Sequence, residues 1–288
     1  MNKKNKLKIS LAQISSKLAN IDANLEKHLS YIDKAIAEKA DIILFPELSL
    51  TGYSVKDAVF DVAMASDDKR LEPLLEASKK ISICLGLVEL TNNFEAKNTN
   101  LFLENGKITA RHRKVYLPTY GVYEEKRYFT PGNRFRAFDS KFGRFGMLIC
   151  EDLWHPSSTS ILALDGALAI FVNSAGILRG VHQMDKPENI QIWENLNRTS
   201  AHLFTSYLIF CNRVGTEDGL MFWGGSEIID PQGKEVVKAP YFEENLITAE
   251  IDWLKLKHAR IHTTYLSDER LDIITEELQR IAKAAKEY

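Results

Sequence analysis

Apolar runs of strand character recur along this chain at two kinds of spacing, and the mixture limits the folds open to it. Some neighbouring runs are separated by amphipathic stretches of helix length. Residues 7–14 alternate as a strand does. Residues 22–40 carry Leu25, Leu29, Ile32 and Ile36 on one helical face, with Asp22 placed to cap them, and residues 41–48 form another apolar run that Pro46 helps to end. Other runs are joined by tight polar turns. Residues 98–103 and 108–115 meet across Glu104-Asn105-Gly106-Lys107, where Asn-Gly is a strong hairpin signal, and 136–140 and 145–150 meet across 141–144. Helices are predicted over 69–80, 157–166, 187–204 and 267–288. Further strands are predicted over 81–90, 168–173, 206–213, 225–230, 235–238 and 245–251. Helical crossovers require parallel strands and hairpins require antiparallel ones, so the sheets must be mixed, with helices outside them. The pattern occurs about twice over. It predicts an α/β architecture of two mixed sheets packed face to face, each covered by helices.

The chain has 288 residues, 45% hydrophobic and 26% charged, which is enough to bury a core without disulfide or metal staples. No low-complexity linker or repeat interrupts it, so a single domain over 1–288 is expected. A net charge of −2 gives no attraction for nucleic acid or an anionic membrane, and no apolar stretch approaches the ~20 residues of a membrane span. The basic start, Met1 to Lys6, runs into an alternating strand rather than an apolar core, so no signal peptide is read. Cys84, Cys150 and Cys211 are too few and too scattered for a disulfide framework and fit a reducing compartment. The expectation is a cytoplasmic protein with a small-molecule partner.

Three strand-like runs end abruptly on a reactive side chain. Ile42-Ile43-Leu44-Phe45-Pro46 delivers Glu47. Ile108-Thr109-Ala110-Arg111-His112-Arg113 delivers Lys114. Gly146-Met147-Leu148-Ile149 delivers Cys150 ahead of Glu151-Asp152-Leu153-Trp154-His155-Pro156. A thiol is intrinsically nucleophilic but needs a base, and a desolvated carboxylate can serve. An ammonium and the backbone N–H of Glu151 can hold the oxyanion of a tetrahedral intermediate. Base, nucleophile and oxyanion donors together describe acyl transfer from a C–N bond, through a thioester, to water. A cysteine ending a buried strand is more often a small core hydrophobe, and Cys84 and Cys211 read that way. The combination raises Cys150 above that reading.

The same segments resemble the signatures of the nitrilase superfamily of carbon–nitrogen hydrolases. Phe45-Pro46-Glu47-Leu48-Ser49-Leu50-Thr51-Gly52-Tyr53 resembles its glutamate motif, Arg113-Lys114-Val115-Tyr116-Leu117-Pro118 its lysine motif, and Ile149-Cys150-Glu151-Asp152-Leu153-Trp154 its cysteine motif, in that order, over residues 8–251. The resemblance implies a four-layer αββα sandwich, with Glu47 as general base, Lys114 as oxyanion stabiliser and Cys150 as nucleophile. It implies an accessory glutamate after the lysine motif. Glu124 and Glu125 are the candidates, and Glu125 is preferred from the register of the Arg127-Tyr128-Phe129 that follows. It also implies a homodimer or larger homo-oligomer, with residues 252–288 as a C-terminal helical extension contacting a neighbouring subunit. Residues 117–129 resemble, more narrowly, the glutaminase domain of glutamine-dependent NAD synthetases. The Ser-Gly-Gly-x-Asp-Ser loop of their synthetase domain does not occur in these 288 residues, so a stand-alone amidase or a glutaminase-like subunit acting in trans is expected. Asn212-Arg213-Val214-Gly215 through Trp223-Gly224-Gly225-Ser226 resembles the amidase and carbamoylase branch.

Around the motifs, Tyr120, Glu151, Trp154, His155, Asn173, Arg179 and Trp223 are candidates to touch substrate, since they lie beside the motifs or after strands. Arg179 or Arg213 could pair with a substrate carboxylate, though a structural ion pair is an equal reading. Specificity is expected in loops 52–65, 119–131 and 175–187. No glycine-rich phosphate loop and no His-Glu-x-x-His motif occurs, so neither a cofactor nor a metal is expected. His258 and His262 lack a third ligand and read as a surface helix. The functional expectation is a thiol-dependent amidohydrolase for a linear amide or N-carbamoyl amine. A glutaminase-like subunit, a true nitrilase and a non-catalytic scaffold are the alternatives.

Overall fold

A computed structural model describes residues 5–179 and 187–284. Its fourteen strands in chain order are β1 (Lys6–Gln13), β2 (Ile42–Leu44), β3 (Ser82–Leu90), β4 (Ala96–Glu104), β5 (Lys107–Arg113), β6 (Phe138–Ser140), β7 (Gly143–Ile149), β8 (Ala169–Ser174), β9 (Tyr207–Asn212), β10 (Val214–Glu217), β11 (Leu220–Trp223), β12 (Glu227–Ile229), β13 (Glu235–Lys238) and β14 (Asn245–Asp252). They form a six-stranded sheet ordered β14-β1-β2-β3-β4-β5, a second six-stranded sheet ordered β13-β12-β9-β8-β7-β6, and a separate β10-β11 hairpin. Both large sheets are mixed. β1-β2-β3 and β7-β8-β9 pair in parallel, and the outer strands pair antiparallel.

The alternation within each strand explains the layering. Ile42, Leu44 and Cys84 turn inward with Phe145, Met147, Phe171, Ile209 and Cys211 of the other sheet, making the core between the sheets. Ile43, Ile83 and Leu85 turn outward under helices Ile21–Ala37 and Glu72–Ala77. Leu148, Ile170, Val172 and Phe210 turn outward under helices Pro156–Leu164 and Glu188–Leu203. Strands buried on both faces read as near-continuous apolar runs, as these do. The result is the expected α-β-β-α order of layers.

Several local expectations are corrected. Asn20, not Asp22, caps the first helix, its side chain accepting from the Ala23 N–H at 3.1 Å, and Asp22 falls in the first turn, where a carboxylate suits the helix dipole. The buried face of that helix includes Asn24 and His28 beside Ile32 and Ala35, because their polar groups hold the loop around Ser49. The expected strand over 41–48 stops at Leu44, and Leu48 has a left-handed φ of 48°. The helix expected over 69–80 is a 3-10 turn, Lys69–Leu71, followed by Glu72–Ala77 with Pro73 in its first turn. The β10-β11 hairpin was not separated in the sequence reading, and the helix Trp253–His262 carries His258 and His262 exposed on its surface, as expected. The last helix is Leu271–Ala284, with Leu271, Leu278 and Ile281 exposed, and residues 285–288 of that expected helix lie outside the described residues. Among the described residues no helix is long and apolar enough to cross a membrane.

Topology sets the site. β3, β4 and β5 form an antiparallel meander, so β5 runs in the same direction as β2. Glu47 and Lys114 therefore leave the same edge of their sheet. β7 packs on β4 and β5 from the other sheet and brings Cys150 to that edge. Gly86 on β3 makes this close approach possible. A Cβ there would lie 2.4 Å from the Leu48 backbone nitrogen and 2.9 Å from the Pro46 carbonyl, so only glycine lets the Glu47 turn rest on the sheet.

Candidate active site

Glu47, Lys114 and Glu125 form one buried charge cluster. Lys114 Nζ donates to Glu47 Oε1 at 2.7 Å and to Glu125 Oε1 at 2.7 Å. Glu47 and Lys114 are fully buried and Glu125 nearly so, whereas Glu124 is exposed, so of the two glutamates it is Glu125 that stands at the ammonium. Glu47 is held further by the Asn98 amide at 2.8 Å and by the backbone N–H of Ala175, which reaches Oε2 at 2.9 Å from just past β8. Glu125 Oε1 also accepts from the Tyr53 hydroxyl at 2.7 Å, while its Oε2 is buried with no hydrogen-bond partner among the described residues. Burial pulls the Lys114 ammonium down in pKa, but the Glu125 and Glu47 carboxylates outweigh it and hold it well above the ordinary lysine value. Burial, opposed by Lys114 and reinforced by Glu47, pushes Glu125 up to about 7.

Cys150 sits where β7 ends. Its φ is 45°, a left-handed value uncommon for a residue with a Cβ, and it turns the strand directly into the 3-10 segment Cys150–Trp154. The turn takes the thiol out of the strand ladder and leaves the first N–H groups of the following segment without partners inside it. Burial raises the thiol pKa, the Glu47 charge raises it further, and Lys114 and the neighbouring Ser174 hydroxyl offset only part of this. Glu47, Lys114 and Cys150 are therefore close enough to feel one another's charge, and the resting Cys150 side chain is a thiol rather than a thiolate.

The sequence reading missed the residue that joins the two halves of the site. Asp152 is fully buried and accepts from the backbone N–H groups of Val115 and Tyr116 at 3.0 Å each and of Ile149 at 3.1 Å, and it pairs with His112 Nε2 at 2.7 Å. It fastens the turn after Lys114 to the turn at Cys150. Asp152→Ala would strand these donors, at about 1–3 kcal/mol for each one left buried. Urea unfolding is expected to show a loss of about 3 kcal/mol or more for Asp152→Ala and a smaller loss for Asp152→Asn, which keeps one acceptor. Unchanged midpoints in both variants would contradict this role. Asn98, Tyr53 and the Ala175 N–H were likewise not singled out.

The remaining candidates divide. Tyr120 donates to the Glu151 carboxylate at 2.9–3.0 Å, and the Arg179 guanidinium lies 5.6 Å from the Tyr120 ring and 5.4 Å from that of Tyr123. Burial first, then the Glu151 contact, pushes Tyr120 up to about 12. Burial and then the Cys150 charge raise the Tyr123 hydroxyl above its ordinary value. His155 stacks on Tyr116 at 3.4 Å, and with Tyr120 and Glu151 they line an open cavity of about 590 Å³. A second cavity of about 180 Å³ is lined by Tyr53, Glu125, Tyr128 and Phe129. Trp154 instead packs edge-on against Trp193 at 5.1 Å, away from these linings. Asn173 is fully buried, its amide joining Phe45 O at 2.5 Å and Asn100 at 2.7 Å, so it ties the sheets together rather than facing a ligand. Trp223 is fully buried in the core against Phe210. Arg213 is fully buried and paired with Glu217 at 2.7 Å, so the structural reading holds for it. Loop 175–187 lies partly outside the described residues, at 180–186. Among the described residues no group of three side chains could hold a metal ion.

Residues 8–261 match the family model described as carbon-nitrogen hydrolase. The chain is 31% identical over 281 residues to a glutamine-dependent NAD(+) synthetase of Acinetobacter baylyi, covering 98% of this chain and 50% of that protein. It is 28% identical over 281 residues to a probable nitrilase of Schizosaccharomyces pombe, covering 93% of this chain and 97% of that protein. A carbon-nitrogen hydrolase from Helicobacter pylori superposes with a TM-score of 0.85 at 24% identity, over 95% of this chain and 98% of that chain, a likeness of fold. The chain spans about half the length of the first NAD(+) synthetases it matches.

Proposed function

The chain belongs to the carbon–nitrogen hydrolase family, and on that premise we propose that it is a thiol-dependent amidohydrolase cleaving a linear amide or N-carbamoyl amine through a thioester. The observation that carries the reading is the buried Glu47–Lys114–Glu125 cluster acting on Cys150 at a strained strand end. Because the resting thiol is protonated, Glu47 takes its proton as Sγ bonds to the carbonyl carbon. The carbonyl π electrons move onto oxygen, and Lys114 Nζ with the Glu151 N–H holds that oxyanion. Glu47 passes the proton to the amine as the C–N bond breaks. It then removes a proton from the water that attacks the thioester carbon, and returns it to sulfur as the C–S bond breaks and the acid leaves. The unpartnered Oε2 of Glu125 favours an amide over a nitrile: an amide NH₂ supplies a donor to it and a nitrile does not. The exposed apolar residues of helix Leu271–Ala284 support a homo-oligomer.

A second reading is a glutaminase-like subunit that passes ammonia to a partner. It is favoured by the synthetase relatives and by Glu151 and Arg179, both at Tyr120, opposite charges suited to the ammonium and carboxylate of an amino acid. Ammonia release from glutamine, asparagine, ω-amido acids, N-carbamoyl amines, N-carbamoyl amino acids and simple nitriles tests both. A Cys150-dependent signal on one amide or carbamoyl class is expected. A preference for glutamine would select the second reading, and silence on every compound would overturn the first.

A further inference from the structure

The β10-β11 hairpin lies outside the three motifs, yet it reaches the charge cluster through Tyr53. Glu217, at the end of β10 and nearly buried, accepts from the backbone N–H of Tyr53 at 2.9 Å and of Ser54 at 2.6 Å through one carboxylate oxygen. Its other oxygen accepts from Arg213 Nη2 at 2.7 Å. Arg213 is fully buried, donates also to Ser16 O at 2.9 Å, and lies flat over Phe222 of β11, its guanidinium 4.5 Å from the ring centroid. The Tyr53 ring meets the same Phe222 edge-on at 5.8 Å. Tyr53 is thus gripped by its backbone at one end and its ring along one side. Its hydroxyl is delivered to Glu125 at 2.7 Å.

We propose that Glu217 is a positioning residue for the active site: by gripping the Tyr53 and Ser54 N–H groups it aims the Tyr53 hydroxyl at Glu125. A buried carboxylate with a buried arginine partner is costly to build, and replacing such a pair by apolar residues is often neutral or stabilising, so fold stability alone accounts poorly for it. Its geometric effect accounts for it better. Both oxygens are saturated by fixed donors, so the loop after Glu47 has one position relative to the hairpin. The exposed Lys56–Asp218 ion pair ties the same two segments again, but an exposed pair contributes little.

The chemical consequence runs through Glu125, which is faced by Lys114, Glu47, Tyr53 and Cys150. The Tyr53 hydrogen bond favours its charged form, the form that pairs with Lys114. Loosening Tyr53 should therefore keep Glu125 protonated to a higher pH and carry the acid limb of the rate profile upward with it.

The test uses Glu217→Ala, Glu217→Gln, Tyr53→Phe and the double variants, with two readouts. Glu217→Gln is included because alanine leaves Arg213 buried without its partner; the neutral amide can satisfy the backbone donors or the arginine, not both. Tyr53→Phe removes only the hydroxyl, which Glu217 does not touch. Urea midpoints should therefore be non-additive if Glu217 sets the hydroxyl's bond, with the double variant losing less than the sum of the single losses. In kcat/KM against pH, on the best amide found, both single variants should move the acid limb upward, and the double variant should move it no further than Tyr53→Phe alone. Additive midpoints with an unmoved acid limb would overturn the proposal and leave Glu217 as scaffolding. The inference rests on the amidohydrolase reading only for the second readout. If no substrate responds, the midpoints still decide the positioning role, and that reading fails separately.

Discussion

Cys150→Ala is expected to abolish turnover, by roughly 10⁴-fold or more, at a cost in stability of only about 1 kcal/mol. Alanine removes only the weak contact between the thiol and the buried Ser174 hydroxyl, and the charged groups around the strand end are bonded elsewhere. Glu47 keeps Asn98, Lys114 and the Ala175 N–H, and Lys114 keeps Glu125. Alanine inherits the left-handed φ that cysteine already tolerates. The contrast lies with the other two thiols. Cys84, which burial pushes up to about 12, and Cys211 lie in the core between the sheets. Cys84→Ala and Cys211→Ala should each lose stability through the small cavity they leave, about 1–2 kcal/mol, and keep activity within a few-fold. Ammonia release and thermal unfolding on the three variants check this. Activity surviving in Cys150→Ala, or vanishing in Cys84→Ala with the fold intact, would sink the thiol mechanism.

The parts of the site that were legible in the sequence are those whose signal is local. A strand that stops on Glu47, Lys114 or Cys150 shows itself in a handful of neighbouring residues. Glu125 was only preferred over Glu124, from the equally local register of the aromatic residues that follow, and the Lys114 contact singles it out. The supporting contacts are not. Asn98 meets Glu47 from 51 positions away, Asp152 meets Tyr116 from 36, and the Ala175 N–H meets Glu47 from 128. Each exists only once the two sheets have paired. The same distance explains Asn173 and Trp223. Both follow or end strands, as pocket residues do, but Asn173 is closed over by the other sheet and Trp223 by the layer outside the second sheet, against Phe210.

The fold was legible at the level of layers because continuous apolar runs for the doubly buried strands and a 3.6-residue periodicity for the helices survive in a buried sandwich. Short elements were not. Asp218-Gly219, with φ values of 50° and 78°, is the turn a hairpin favours, yet the strands it joins are four residues each and were absorbed into the segment between two longer ones. That omission hid the route from Glu217 to Tyr53. The first helix shows a milder case: an Asn two residues before the expected cap competes well for that place, and only the Ala23 N–H contact decides between them.

Lys114→Met is the change expected to damage both activity and stability. Loss of an oxyanion donor costs about 10²–10³-fold in kcat. Loss of the cation also leaves Glu47 and Glu125 buried without their shared counter-charge, and removing one partner of such a cluster costs about 3–5 kcal/mol. The pH dependence separates this from ordinary packing loss. In the intact protein the Lys114 pKa is raised above its unfolded value of 10.5, so its contribution is fully present below that pH and does not change between pH 5 and 8. Glu125 is raised from 4.5 to about 7, so the folded state holds its proton where the unfolded chain has released it. Stability tied to that proton is present below 4.5 and is lost as pH rises through about 7. Without Lys114, which lowers the Glu125 pKa, the folded-state value rises further and the loss extends to higher pH. The deficit of Lys114→Met relative to the intact protein should thus be small at pH 5, where Glu125 holds its proton, and largest at pH 8. Urea unfolding at the two pH values measures it. An equal deficit at both would mean that the side chain acts by packing and that the cluster is not electrostatically bound.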